Sequence, residues 1–136
     1  MNNTVRIALG ILAGIVIGSI VNMSLINISG TVVPLPEGVD PNDIESIKSN
    51  IHLYTGKHYI MPFLAHALGT LVGAFVAAKI ASSKKMTAGL IIGGFFLLGG
   101  IMAAKMIGTP LLPSAVDIVL AYIPMGWIGA KLAGAE

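Results

Sequence analysis

Four polar side chains, Asn22, His66, Lys105 and Asp117, are embedded in otherwise apolar stretches of this sequence, one in each stretch. An imidazole binds, donates or relays protons near neutral pH. A carboxylate and an ammonium pair with each other or hold a solute of opposite charge, and a carboxamide both donates and accepts hydrogen bonds. Insertion scales put a charge at the centre of a bilayer at about 2.5 to 3.5 kcal/mol, so polar groups at depth generally face protein or water and mark function. The four are the candidate binding residues, an outward-facing polar pocket in a membrane bundle.

Their spacing divides them into pairs. Asn22 and His66 each lie about seven residues inside the outer end of their stretch, roughly 10 Å at helical rise, so they share a depth. His66 is then either a binding or proton-handling residue, or an interhelical hydrogen-bond partner of Asn22 or of a neighbouring carbonyl. Lys105 ends the third stretch and Asp117 begins the fourth, joined by the short Gly108–Pro113 connection. An ion pair across this hairpin is expected, with Lys105 reaching outward and Asp117 also favoured by its helix N-terminus.

Other chemistry is weakly supported. His52, His58 and His66 with Glu37, Asp40, Asp43 or Glu45 show no metal-ligand spacing, so no metal site is expected. The chain has no cysteine, which excludes thiolate and disulfide chemistry. A membrane aspartyl peptidase needs two acids at depth, and Asp117 stands alone; Ser19 and Ser24 lack a nucleophile's context. The glycines lie within apolar runs rather than in a phosphate-binding loop. No cofactor is expected, and the balance leans away from an enzyme, leaving an enzyme or lipid-binding protein that uses His66 as acid or base as a lesser alternative.

The elements that must position these residues are membrane helices. Hydrophobic residues make up 55% of the 136 residues and charged ones 10%, a balance that a soluble domain of this size could not place on its surface. The predicted fold is all-α: one domain, residues 1–136, forming a four-helix transmembrane bundle with spans at about 5–28, 59–81, 86–107 and 114–133. Arg6, Lys79, Lys84, Lys85 and Lys131 gather at the end that holds both termini, so the positive-inside rule predicts cytoplasmic termini. A signal peptide is the competing reading of the first span, disfavoured by its length and by the lack of a small-residue cleavage site.

The outer loop, residues 29–58, carries a predicted amphipathic helix: Asp40 as N-cap, Pro41 at its start, Ile44, Ile47 and Ile51 on one stripe, and Gly56 beyond its end. It would form a lid or a plain packing element. Pro124 predicts a kink in the fourth span. Residues 74–81 faintly echo 126–133, as a duplicated two-helix hairpin would.

Gly10, Gly14 and Gly18 form one small-residue ridge and Ala65, Gly69, Gly73 and Ala77 another. Such ridges serve packing inside the bundle, a homo-oligomer through Gly10, Gly14 and Gly18, or capture of a partner membrane protein. The lipid bilayer is an expected partner. Nucleic acid is not, because the small net charge of +2 is divided between the two sides rather than gathered in a patch.

The runs His66–Phe75, Phe95–Met102 and Asp117–Trp127 resemble a group of small four-span bacterial membrane proteins with no established activity. The resemblance covers nearly the whole chain and implies the bacterial inner membrane as location, without transferring any catalytic residue. Small multidrug transporters share the size and span count but carry an acid in the first span, which this chain lacks. The leading expectation is a small oligomeric transport or channel-like protein; the alternative is a non-catalytic accessory or assembly protein.

Overall fold

The computed structural model describes residues 1–136 and is built of helices without strands. Six α-helices follow one another: α1 (Asn3–Val32), α2 (Ile44–Asn50), α3 (Ile60–Ile80), α4 (Lys85–Ile107), α5 (Leu111–Leu120) and α6 (Ile123–Leu132). Four helical segments, Asn3–Val32, Gly56–Ile80, Lys85–Ile107 and Leu111–Leu132, are long and apolar enough to cross a membrane. The chain thus has the make-up of a multi-pass integral membrane protein.

The distribution of side-chain size agrees with a lipid environment. Among fully buried side chains the largest are Tyr122, Ile92 and Thr70, and the rest of the core is mainly alanine, while Leu12, Val16, Ile20, Leu98, Met102 and Val119 point outward, each more than half exposed. Water would penalise such a surface; lipid does not, and small residues inside let backbones approach. Helix α3 is central: 44% of its apolar window is buried against 17% for each other span.

The ridge on α1 packs against α3 within the chain. A methyl carbon added at Gly10, Gly14 or Gly18 would lie 2.5 to 2.7 Å from the carbonyl oxygen of Ala77, Gly73 or Gly69. A second close pair joins α4 to α6, where added carbons at Gly89 and Gly126 would each lie 2.8 Å from the other residue's carbonyl oxygen. Gly129 approaches the Leu71 carbonyl and so seats α6 on α3. The echoing segments 74–81 and 126–133 therefore lie on neighbouring helices that run in the same direction.

Basic residues close the end that holds the termini. Arg6 Nε donates to the Ile80 carbonyl at 3.3 Å and Lys85 Nζ to the Ala133 carbonyl at 3.2 Å, each supplying a cation to the last turn of another helix.

The long connector at the opposite end differs from expectation in detail. Asp43, not Asp40, caps the short helix by accepting from Glu45 N–H at 3.0 Å, and the helix starts at Ile44 rather than Pro41. Asp40 instead accepts from Asn42 N–H and forms a turn that holds Pro41 outside the helix. Nor does Gly56 end the helix: α2 stops at Asn50, and Gly56 opens a separate 3-10 turn, Gly56–Tyr59, that leads into α3.

The fourth span is broken rather than bent. Pro124 has no N–H for the Leu120 carbonyl and its ring crowds that carbonyl, so α5 ends at Leu120 and α6 restarts at Ile123. Tyr122 takes φ −121° and ψ −76° between them. The break is buried: Ala121 is fully covered, and an added carbon at Gly93 would lie 3.0 Å from the Tyr122 carbonyl oxygen.

Candidate functional site

The break in the fourth span decides which polar groups meet. Asp117 lies in α5 and Tyr122 follows the end of that helix, so the non-helical backbone returns the phenol toward the carboxylate. Tyr122 O–H donates to Asp117 Oδ2 at 2.7 Å. From α3, His66 Nδ1 meets Asp117 Oδ1 at 2.8 Å. The His66 and Tyr122 rings stack with centroids 5.8 Å apart and planes inclined by 28°. Three side chains thus converge, two bonded to separate oxygens of one carboxylate and the two rings packed on each other.

Gly100 of α4 makes room for this arrangement. A methyl carbon added there would fall on the Tyr122 hydroxyl, and 2.8 Å from Cε2 of the ring. Phe63, Phe96 and Leu97 pack around Ala67, Ala121 and Tyr122, so the phenol sits in an apolar sleeve with Asp117 as its hydrogen-bond acceptor. Tyr122 retains 2% of its surface, whereas His66 and Asp117 side chains keep 26% and 18%.

That remaining surface lines a cavity of about 900 Å³ at the connector end, bounded by the ends of α1 and α4, the starts of α3 and α5, and the connector itself. Ile47 of α2, with Ile51 and Tyr54 beyond it, forms part of the roof; Ile26, Met61, Phe63 and Ile107 contribute apolar wall. His58 is held by its neighbour: Thr55 N–H donates to His58 Nδ1 at 2.9 Å, and the Tyr54 ring lies 5.2 Å away. Toward the terminal end, the glycine contacts of α1 with α3 and of α4 with α6 bring backbones together, so the cavity stops at the His66–Asp117 level.

The expected groupings are rearranged accordingly. His66 and Asp117 are joined, each having been assigned a different partner. Lys105 is exposed, makes no ion pair with Asp117 and does not line the cavity, because Asp117 turns inward to α3 and Tyr122. Asn22 packs beside Gly69, where an added carbon would lie 2.9 Å from Asn22 Cβ. Its Oδ1 is buried without a hydrogen-bond partner, so no Asn22–His66 bond forms. Tyr122 escaped the reading of the sequence; its signal was a hydroxyl-bearing aromatic two residues before a mid-span proline.

The site therefore belongs to an all-helical, four-span bundle with a cavity at one end and a His–Asp–Tyr cluster at its floor. No protein-family model, curated protein or solved structure matches the chain.

Proposed function

We propose that this is a small transport-type membrane protein that takes a solute into the connector-end cavity and engages it at His66 and Asp117. The carrying observation is that two segments far apart in sequence, α3 and the broken fourth span, bring a bonded imidazole, carboxylate and phenol together, the imidazole and carboxylate at the floor of a cavity large enough for a solute. Cavities of about 300 to 1,000 Å³ with apolar walls and a few convergent polar groups are the usual form of small-molecule sites. Termini on the cytoplasmic side, inferred from the clustered Arg6, Lys79, Lys84, Lys85 and Lys131, orient the cavity outward, with the bacterial inner membrane as the setting.

The broken fourth span supports the transport reading. Irregular backbone at membrane depth is tolerated where it is buried in protein or borders a cavity, and discontinuous helices commonly carry transporter sites. Here the break lies about one turn beyond Asp117, and Tyr122 within it bonds to Asp117, so a change in the ligation of Asp117 acts on Tyr122 and on the packing of α6 against α4.

The test is flux in proteoliposomes under imposed gradients of a methylated amine, a short carboxylate and a short alcohol. Flux of one class should be lost in both His66→Ala and Asp117→Asn while the proteins remain folded. Unchanged flux in both would remove the cluster from the mechanism.

One detail favours a second reading, a membrane enzyme. Asp117 engages Nδ1 of His66, the arrangement that orients an imidazole so that Nε2 serves as acid or base toward a bound molecule. Turnover of a cavity-bound amphiphile that disappears in His66→Ala would establish that reading instead.

A further inference from the structure

We infer that the occupant of the cavity is an amphipathic organic cation, its ammonium directed at Asp117 and its apolar part against the isoleucine and phenylalanine walls. This rests on the solute-binding reading above and adds to it the chemical class of the solute.

Charge argues first. Among the residues that line the cavity Asp117 is the one carboxylate, and none is lysine or arginine. Lys105, close by in sequence, lies outside. The two histidines in the lining already have hydrogen-bond partners. His58 accepts the Thr55 N–H at Nδ1. His66 is hydrogen-bonded through Nδ1 to Asp117. The lining thus offers one carboxylate and no lysine or arginine, so an anion entering it would find no permanent cation. Burial of an unpaired anion is costly, whereas a cation finds a carboxylate with lone pairs to spare.

The aromatic rings in the lining argue second. Tyr54 lies 5.8 Å from Tyr59 and 5.2 Å from His58, centroid to centroid, and Phe63 follows one turn into α3. Aromatic faces attract ammonium groups through the ring quadrupole, and quaternary ammonium is the ligand that such clusters suit best. Burial raises the Tyr54 phenol above its ordinary value, so this ring stays neutral across the physiological range. The apolar walls beyond the rings then cover the remainder of an amphipathic molecule, which a small hydrated metal cation would leave unmatched.

The experiment is calorimetric titration of the full chain in phosphatidylcholine nanodiscs, with empty discs as reference. Three probes share one tail: hexyltrimethylammonium, hexanesulfonate and hexanol. The ammonium should bind at least about tenfold more tightly than the other two, a preference set by the single carboxylate and the aromatic part of the lining. Asp117→Asn should weaken it about tenfold, and Tyr54→Leu about threefold to tenfold, with Tyr54→Phe close to wild type because the ring face is retained. Tyr54 stands on the connector, so its variants read the aromatic contribution without disturbing the bundle.

Equal or tighter binding of sulfonate or hexanol would overturn the cationic class and leave the solute-binding reading in place. Binding of none of the three probes would overturn both. Ammonium binding that is unaffected by both Asp117→Asn and Tyr54→Leu would overturn the assignment to this cavity.

Discussion

Replacing Tyr122 by phenylalanine deletes one oxygen and leaves the ring, its stack on His66 and its apolar sleeve in place. The lost interaction is a 2.7 Å hydrogen bond to Asp117. This bond joins residues five apart in one span, and an intramolecular hydrogen bond contributes about 0.5 to 1.5 kcal/mol net. Two features put this bond near the upper figure: the acceptor is a carboxylate, and the phenol is almost wholly withdrawn from solvent. Tyr122→Phe should therefore cost about 1.5 kcal/mol, measured by reversible unfolding in mixed micelles. A double-mutant cycle with Asp117→Leu isolates the pair, and the coupling should be about 1 to 1.5 kcal/mol. Coupling below about 0.3 kcal/mol would refute the claim that the phenol is anchored by the carboxylate.

Gly100→Ala should displace the same phenol from the opposite side. The ring must withdraw by more than half an ångström, which breaks its bond to Asp117, so stability should fall by about 2 to 4 kcal/mol and the Tyr122→Phe change should then add little. Gly14→Leu should prevent folding, detected as loss of the monodisperse protein on size exclusion, whereas Gly94→Leu, which meets nothing within 4 Å, should be tolerated. Lys105→Ala should leave flux and ammonium binding unchanged, since the side chain lies outside the cavity; a loss of more than about tenfold would restore the Lys105–Asp117 clasp. Asp43→Ala should remove about 1 kcal/mol from α2 and raise hydrogen exchange across Ile44–Asn50, without altering exchange in α3.

The spans were legible because apolar length is a sum over many residues. The third was expected at 86–107 and runs from Lys85 to Ile107; the second was expected at 59–81 and its α-helix runs from Ile60 to Ile80. The glycine ridges were legible for a similar reason, since their period of four places them on one face. The start of the connector helix was read three residues early because Asp40 and Asp43 are both competent caps. The choice between them falls to Pro41 and to the Asp40 turn, which bonds back to Ser46 Oγ.

The site was half legible. His66 and Asp117 stand out as titratable groups in apolar surroundings, but their pairing depends on rotation of α5 about its axis, and that rotation follows from the break at Ala121–Tyr122. Pro124 announced a disturbance without giving its direction. Depth alone paired His66 with Asn22, yet depth says nothing of azimuth: Asn22 faces Gly69 while His66 faces Asp117. Sequence adjacency paired Lys105 with Asp117 for the same insufficient reason.

The ridge of α1 repeats every four residues, and so does the facing groove of α3. A periodic surface against a periodic surface sets the separation of two helices while leaving several registers sterically equivalent. Sliding α1 by one repeat, about 6 Å, would bring Gly14 against Ala77 and Gly18 against Gly73 with small residues still opposed. What selects one register is aperiodic: Ser82 Oγ donates to Asn3 Oδ1 at 2.8 Å, and Arg6 reaches the Ile80 carbonyl. The first span is thus a rack whose pawl sits at its terminal end, and the width of the cavity at the far end is set by whichever tooth those contacts engage.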